Sequence, residues 1–196
     1  MVDGGSIDDT FALARGNSDR SITSPRGRAT QQNAGARIAT GEALLFLHID
    51  TQLPVNADRL IDAALDVQSR VWGRFDVTLN AENSRSHPML IVVSAMMNFR
   101  SRITGIATGD QCIFVRKSAF DAVGGFPRIP LMEDIALCKA LKQISAPACL
   151  CERVITSARR WQKYGVWRTI LLMWWLRFAY WLGVSPTKLA HWYGNK

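Results

Sequence analysis

The sequence predicts an α/β domain with a largely parallel sheet. Segments of strand character alternate with segments of helical periodicity, and no internal repeat interrupts that order. A continuous apolar run over 43–47, bounded by Gly41 and Pro54, is typical of a parallel strand that is covered on both faces. With 196 residues, 48% of them hydrophobic and 20% charged, the chain suits one domain with a sizeable core.

The other elements are predicted from periodicity, caps and turn residues. We expect helices over 10–16, 29–39, 56–69, 88–100 and 132–143, and strands over 71–79, 111–116 and 148–155. Asp8 or Asp9 is the expected N-cap of the first helix, and Pro88 is expected at the first position of the fourth. Ser118 is expected to cap a short helix that Gly124 and Gly125 end.

Residues 159–182 differ in kind from the rest. They contain five of the seven tryptophans, four arginines and one lysine, and their longest uncharged stretch, 169–176, has only eight residues. A spanning helix needs about 20 apolar residues, so an amphipathic helix on a membrane surface is expected instead. The alternative is a helix packed on the domain or on a second subunit. We therefore divide the chain into a domain over 1–158 and a helical tail over 159–196.

Charge and cysteine content narrow the class of protein. A net charge of +8 favours nucleic acid, acidic lipid or phosphorylated small molecules. Nucleic acid is not expected as a partner, because no motif for binding it is present. The four cysteines, Cys112, Cys138, Cys149 and Cys151, match no zinc or thioredoxin spacing and are expected to be reduced thiols. With no signal peptide before the first motif, we expect a cytoplasmic protein, peripheral on the inner face of the cell membrane if the tail binds lipid.

Asp50 ends the apolar run, where open α/β sheets place their ligand crevices. One such carboxylate can hold magnesium or manganese against a diphosphate, or it can simply cap the turn before Pro54. His48 lies two residues earlier, so on a strand both side chains would leave the same face. We expect His48 to support Asp50 or a phosphate rather than to ligate the metal.

Two further segments are candidate binding loops. Asp3, Gly4 and Ser6 belong to a Gly-rich turn that suits close approach to a base or ribose, or that is a plain surface turn. The basic loop after it supplies donors for a phosphate, or is a solvated loop, through Arg26, Arg28, Gln31 and Asn33.

Glu133 and Asp134 are adjacent carboxylates at a predicted helix start, after Pro127 and Pro130. The helix dipole alone favours carboxylates there. Their functional interpretation is a general base with a neighbour that orients it.

Six segments in this order resemble inverting family-2 glycosyltransferases, nearest to the bacterial branch labelled "transferase 2, rSAM/selenodomain-associated". They are VDGGSIDDT (2–10), GRATQQNAGA (27–36), LLFLHIDT (44–51), TGDQCIFVRKSAF (108–120), VGGFPRIPLMEDI (123–135) and RRW (159–161). The resemblance covers essentially the whole chain. It implies a GT-A fold (a Rossmann-like sheet flanked by helices), a nucleotide-diphosphate-sugar donor, a divalent metal (Mg or Mn), and an unknown acceptor that could be lipid-linked.

The resemblance also implies roles for residues. Asp3 matches the strand-end Asp that contacts the nucleotide, and Asp50 the metal-binding Asp, with His48 where the family has another Asp. Asp134 matches the catalytic base, with Glu133 beside it. Less specific matches, near the acceptor and the closing loop, are Gly109, Asp110 and Trp161.

The resemblance further implies a strand and a helix before the VDGGS turn. We therefore expect the chain as given to be N-terminally incomplete, with an exposed sheet edge that weakens the fold. Specificity for sugar and acceptor is expected in segments 80–88 and 101–110. The rival interpretation is an inactive fragment that acts as a membrane-associated interaction protein, which would show no metal-dependent donor binding.

Overall fold

The computed structural model describes residues 1–67, 69–80 and 88–194, and its helices and strands alternate as the α/β class requires. The helices are α1 (Thr10–Gly16), α2 (Arg28–Ile38), α3 (Ala57–Asp66), α4 (Pro88–Thr104), α5 (Lys117–Ala122), α6 (Glu133–Leu141), α7 (Arg159–Tyr164), α8 (Val166–Trp181) and α9 (Pro186–Tyr193). The strands are β1 (Val2–Asp3), β2 (Ile22–Thr23), β3 (Ala43–Leu45), β4 (Thr51–Gln52), β5 (Trp72–Asn80), β6 (Phe114–Arg116) and β7 (Ala148–Ser157). Most of the specificity segment expected at 80–88 lies outside the described residues.

The strands form two sheets, and the larger one is mixed. Its order is β3-β6-β5-β7-β4, in which β5 and β7 are parallel while the other three pairs are antiparallel. β1 and β2 form a separate parallel pair. The expectation of a largely parallel sheet is therefore wrong for strand direction. The apolar run over 43–47, expected as a doubly covered parallel strand, contains the antiparallel edge strand β3, because an apolar run does not report the direction of the neighbouring strand.

The core lies on both faces of the five-stranded sheet, around β5. Helices α2, α5 and α6 cover one face and α3 covers the other. The side chains of Trp72, Phe75 and Val77 are completely buried. Gly73 is required here, because a Cβ would lie 2.4 Å from the carbonyl oxygen of Ala148.

A buried polar network ties α4 to β5. Arg74 pairs with Asp76, whose other oxygen lies 2.9 Å from Nη2 of Arg102. Asn98 accepts from the backbone N–H of Val77 at 2.9 Å and donates to its carbonyl oxygen at 3.0 Å. Removing one partner would leave a buried charge or a buried backbone group without its hydrogen bond, which is costly. This network therefore fixes the position of α4.

Several predicted ends are corrected. α5 begins at Lys117, so Ser118 lies inside the helix and Arg116 occupies the N-cap position. Asp9 is at the N-cap of α1 without a side-chain bond, whereas Asp8 accepts from the backbone N–H of Thr10 at 3.1 Å. The segment expected as a strand over 111–116 is a strand only from 114, after a single 3-10 turn at 109–111.

The tail is helical but broken. Gly165 and Gly183, with φ of 81° and 86°, end α7 and follow α8. Arg160 of α7 stacks on the ring of Tyr193 in α9, 3.7 Å from its centroid, and donates to the carbonyl oxygen of Tyr193 at 3.3 Å. Within the described ranges, no helix has the length and apolarity to cross a membrane.

All four cysteines are free thiols. Cys112 and Cys138 are buried, and burial raises the pKa of both to about 12. Thiols with so high a pKa are unreactive near neutral pH, which fits a packing role.

Candidate active site

The carboxylates of Glu133 and Asp134 stand at the start of α6. Met132 precedes them with a left-handed backbone (φ 71°), which turns the chain into the helix. Glu133 is buried and Asp134 is half-buried. Oδ2 of Asp134 accepts from the backbone N–H of Gly109 at 3.1 Å, and Oδ1 accepts from the N–H of Ile135 at 2.7 Å. These bonds orient the Asp134 carboxylate.

Gly109 also makes room for His48. A Cβ at position 109 would lie 2.7 Å from both Cε1 and Nε2 of the His48 ring, so only glycine allows this approach. Nδ1 of His48 lies 3.6 Å from Oδ1 of Asp110. The fold thus brings together 48, 109–110 and 133–134, which the sequence singled out separately.

The charges around Glu133 are coupled. Burial, and then the charge of Asp134, raises the pKa of Glu133. Nη1 of Arg28 lies 4.0 Å from Oε1 of Glu133. Burial alone would lower the pKa of Arg28, but Glu133 and its neighbours outweigh burial and raise it. Burial alone would raise the pKa of Asp110, but its contact with His48 outweighs burial and lowers that pKa.

A cleft with a cavity volume of about 10 Å³ opens at this point, and one of its lining residues, Gln32, was not singled out from the sequence. It is lined by Gln32, Phe46, His48, Gly109, Ile113, Phe126, Glu133 and Asp134. Within the described part of the chain, the buried Oε1 of Gln32 has no hydrogen-bond partner. Gln32 lies four residues after Arg28 on the same helix face, and that spacing is the signal that could have found it.

Two further arginines, both outside the predicted set, feel the charge of Asp134. Burial, and then the charge of Arg177, lowers the pKa of Arg100 to about 10, while Asp134 acts in the opposite direction. Burial also lowers the pKa of Arg177. α4 and α8 therefore each bring a guanidinium within electrostatic reach of Asp134.

The VDGGS turn is organised by Asp3. Its Oδ2 accepts from the backbone N–H groups of Gly5 and Ser6, both at 2.8 Å, and its Oδ1 accepts from the Ser6 hydroxyl at 2.5 Å. The Ser6 bonds, above all, lower the pKa of Asp3. Gly4 is covered by Gln31, whose amide would meet a Cβ there at 3.1 Å. Gln31 also donates to the Val2 carbonyl oxygen at 3.2 Å.

Asn33 has both ends of its amide engaged. Its Nδ2 donates to the carbonyl oxygen of Phe126 at 2.8 Å, and its Oδ1 accepts from the N–H of Phe126 at 2.9 Å. Asn33 therefore clamps the VGGF turn to α2. Arg26 lies exposed in the loop before that helix.

Asp50 and His48 lie in a turn and not on a strand. β3 ends at Leu45, and residues 48–51 form a turn closed by the N–H of Thr51 on the carbonyl oxygen of His48 at 3.1 Å. The shared strand face expected for His48 and Asp50 is therefore wrong. Asp50 instead lies 3.4 Å from Nη2 of Arg159, in an exposed pair.

The residues present fit a metal that takes few ligands from protein. Among the described residues, no three or more His, Cys, Asp and Glu side chains gather to hold an ion. Magnesium-type ions usually take one or two carboxylates and fill their shell with phosphate oxygens and water. The exposed carboxylate of Asp50 can supply that one ligand.

Trp161 is not among the residues that line the cleft. It is partly buried against the cluster of Leu79, Leu90 and Val93 between α4 and the tail. Its packing therefore accounts for its position without any bound group.

The fold is found in solved glycosyltransferases, although the chain matches no protein-family model and no curated protein. TarS from S. aureus in complex with UDP superimposes with a TM-score of 0.58 and 18% identity, over 80% of this chain and 50% of that one. TarS in complex with UDP-GlcNAc gives 0.55 and 17%, over 80% and 48%. The mannosyltransferase PcManGT from Pyrobaculum calidifontis, in complex with GDP-Man and Mn2+, gives 0.53 and 18%, over 79% and 46%. The chain thus has a GT-A glycosyltransferase fold and spans about half the length of these structures.

Proposed function

We propose that this chain is part of an inverting, family-2-like glycosyltransferase that moves a sugar from a nucleotide-diphosphate donor to an acceptor hydroxyl. The observation that carries the proposal is the Asp134 carboxylate, which lines the cleft and is held by the N–H of Gly109 at 3.1 Å. The GT-A fold supports it, and neighbours of that fold are complexes with UDP, UDP-GlcNAc and GDP-Man.

The chemistry would be a single in-line displacement at the anomeric carbon. Asp134 takes the proton of the acceptor hydroxyl, whose oxygen forms the new bond as the bond from the anomeric carbon to the diphosphate breaks. The nucleoside diphosphate leaves with the electron pair of that bond. Glu133 is the more buried carboxylate and faces Arg28, so its role is to position Asp134 and the basic loop.

The donor would lie against the start of α2 and the VDGGS turn. Asp3 shapes that turn and the amide of Gln31 covers Gly4 within it, while Arg26 and Arg28 lie just before and at the start of α2 as donors to phosphate. Asp50 would hold a divalent ion, which supplies charge neutralisation for the leaving diphosphate when bound. Arg159, paired with Asp50 here, would have to release it.

The test is nucleoside diphosphate release from a panel of UDP- and GDP-sugars in the presence of Mn2+, with water taking the place of the acceptor hydroxyl, together with donor binding. Asp134→Asn should abolish release and leave donor affinity within about twofold, because the base acts on the acceptor and not on the nucleotide. The matched control is Asp58→Asn, which changes an exposed carboxylate in the first turn of α3. An active Asp134→Asn, or equal losses in both variants, would remove Asp134 as the base.

Peripheral membrane contact through the tail is part of the proposal, since its exposed tryptophans are typical of interfacial helices. That same observation favours the second candidate function, an interaction protein without transferase activity. Metal-dependent donor binding would count against this second candidate.

A further inference from the structure

The outer face of α8 carries an exposed apolar row. Trp167, Leu171, Trp174, Phe178 and Trp181 follow one another at helical spacing, so they share one side of the helix. The three tryptophans are 68%, 65% and 74% exposed. We call these five residues the aromatic row.

A second helix extends this surface. The ring of Trp175 lies beside the row on α8, with its centroid 6.3 Å from that of Trp192 in α9. Both rings are about half exposed. The apolar surface therefore spans two helices that are packed together by Leu176 and Leu189.

The charge of the chain is concentrated in the same segment. Residues 153–196 contain eight Lys and Arg and no Asp or Glu, whereas residues 1–152 contain sixteen of each. The whole net charge of +8 therefore belongs to the segment that also carries six of the seven tryptophans. Lys163 and Arg168 are exposed at the start of the aromatic row.

We propose that the aromatic row docks on the surface of a bilayer that contains anionic phospholipid. Trp and Phe settle at the boundary between headgroups and acyl chains, and the neighbouring cations pair with lipid phosphates. α8 has 16 residues. A helix of that length is roughly 24 Å long, shorter than the roughly 30 Å hydrocarbon core, so α8 lies on the surface.

The charge pattern favours lipid over a second copy of this chain. A symmetric contact through the aromatic row would bring the exposed Lys163 and Arg168 of each copy close to those of the other, and these cations would repel one another. An anionic surface meets the same cations with opposite charge. An anionic lipid surface can therefore contact both the aromatic row and the neighbouring cations.

Docking would place the candidate site close to the lipid. The inner side of α8 packs through Leu176 and Ala179 against Leu131, Met132 and Ile135, which flank the carboxylates of α6. Only one helix layer then separates the docking surface from Asp134. If the proposed function holds, this arrangement suits an acceptor carried at the membrane surface. The docking itself does not depend on transfer chemistry.

The experiment is flotation of the full chain with vesicles of phosphatidylcholine, with and without phosphatidylglycerol, some carrying brominated acyl chains. The protein should bind only the vesicles with phosphatidylglycerol, and brominated chains should quench its fluorescence. Trp174→Ala/Trp181→Ala should weaken binding by at least about tenfold, because both rings leave the lipid. The control Val55→Ala, at an 85% exposed apolar site on the domain, should not.

The cations are tested separately. Lys163→Gln/Arg168→Gln should weaken binding to the anionic vesicles, while Arg20→Gln/Arg59→Gln removes equal charge from the domain and should not. Equal binding to both vesicle types, no binding, or binding without quenching would overturn the proposal. A dimer in solution that the tryptophan changes dissociate would assign the row to a second copy instead. Nucleoside diphosphate release without vesicles should be unchanged in the tryptophan variant, so docking and transfer can fail independently.

Discussion

Replacing Asn33 by alanine should destabilise the fold, because its amide is a clamp between α2 and the VGGF turn. The change removes two hydrogen bonds, of 2.8 and 2.9 Å, to the backbone of Phe126. A net hydrogen bond contributes about 0.5–1.5 kcal/mol, and a buried polar group left unpaired costs about 1–3 kcal/mol. Phe126 lines the cleft, so water can reach some of the backbone groups of Phe126 that the substitution leaves unpaired, which lowers the cost. We expect a loss of about 2–4 kcal/mol in the free energy of unfolding.

The assay is urea denaturation followed by circular dichroism. The matched control is Asn17→Ala, which removes one exposed amide bond to the carbonyl oxygen of Leu13 and should cost less than about 0.5 kcal/mol. Asn33→Asp keeps the acceptor for the N–H of Phe126 and loses the donor, so its stability should lie between. If Asn33→Ala were as stable as Asn17→Ala but bound nucleotide more weakly, Asn33 would be a ligand contact and the clamp would be refuted.

Two other predictions concern the cleft. Gly109→Ala places a Cβ 2.7 Å from the His48 ring and should slow nucleoside diphosphate release by roughly ten- to hundredfold, because the His48 ring and the backbone N–H that holds Asp134 would shift. The control is Gly16→Ala, whose Cβ meets nothing within 4 Å. Unchanged turnover in Gly109→Ala would contradict the close packing of Gly109 on His48. Burial raises the pKa of Glu133 in the folded protein above its ordinary 4.5. The contribution of Glu133 to the free energy of unfolding is therefore greatest below pH 4.5 and is lost as the pH rises through the folded-state pKa. When the free energy of unfolding is measured against pH, Glu133→Gln should show a smaller fall than the wild type, and the exposed control Glu152→Gln should show the same fall as the wild type. Parallel curves for the wild type and Glu133→Gln would contradict a raised pKa at Glu133.

Much of the architecture could be predicted from the sequence. Prolines and periodicity located most helices to within a few residues, since these signals are local. Strand direction was not encoded in the same way. β6 and β7 flank β5 with opposite directions, and the residue pattern of a strand reports which faces are buried and not the direction of its neighbour.

The candidate site was predictable in its parts and not in its contacts. Asp134 and Gly109 were singled out separately, and only the fold shows the bond between them. Asn33 was predicted to bind the donor, but its amide partner lies 93 residues further along the chain, where no local signal could indicate it. The Arg74–Asp76 pair was missed because its charges interrupt a strand otherwise read from its apolar residues.

Calorimetric titration of UDP and GDP into the full chain, with and without Mn2+, tests the central claim most directly. A nucleotide-diphosphate site that uses Asp50 predicts binding of at least one nucleotide that strengthens with Mn2+. Asp50→Asn should abolish the strengthening, while Asp62→Asn, on the exposed side of α3, should preserve it. Binding of neither nucleotide under either condition would contradict the account, as would Mn2+ dependence that survives in Asp50→Asn.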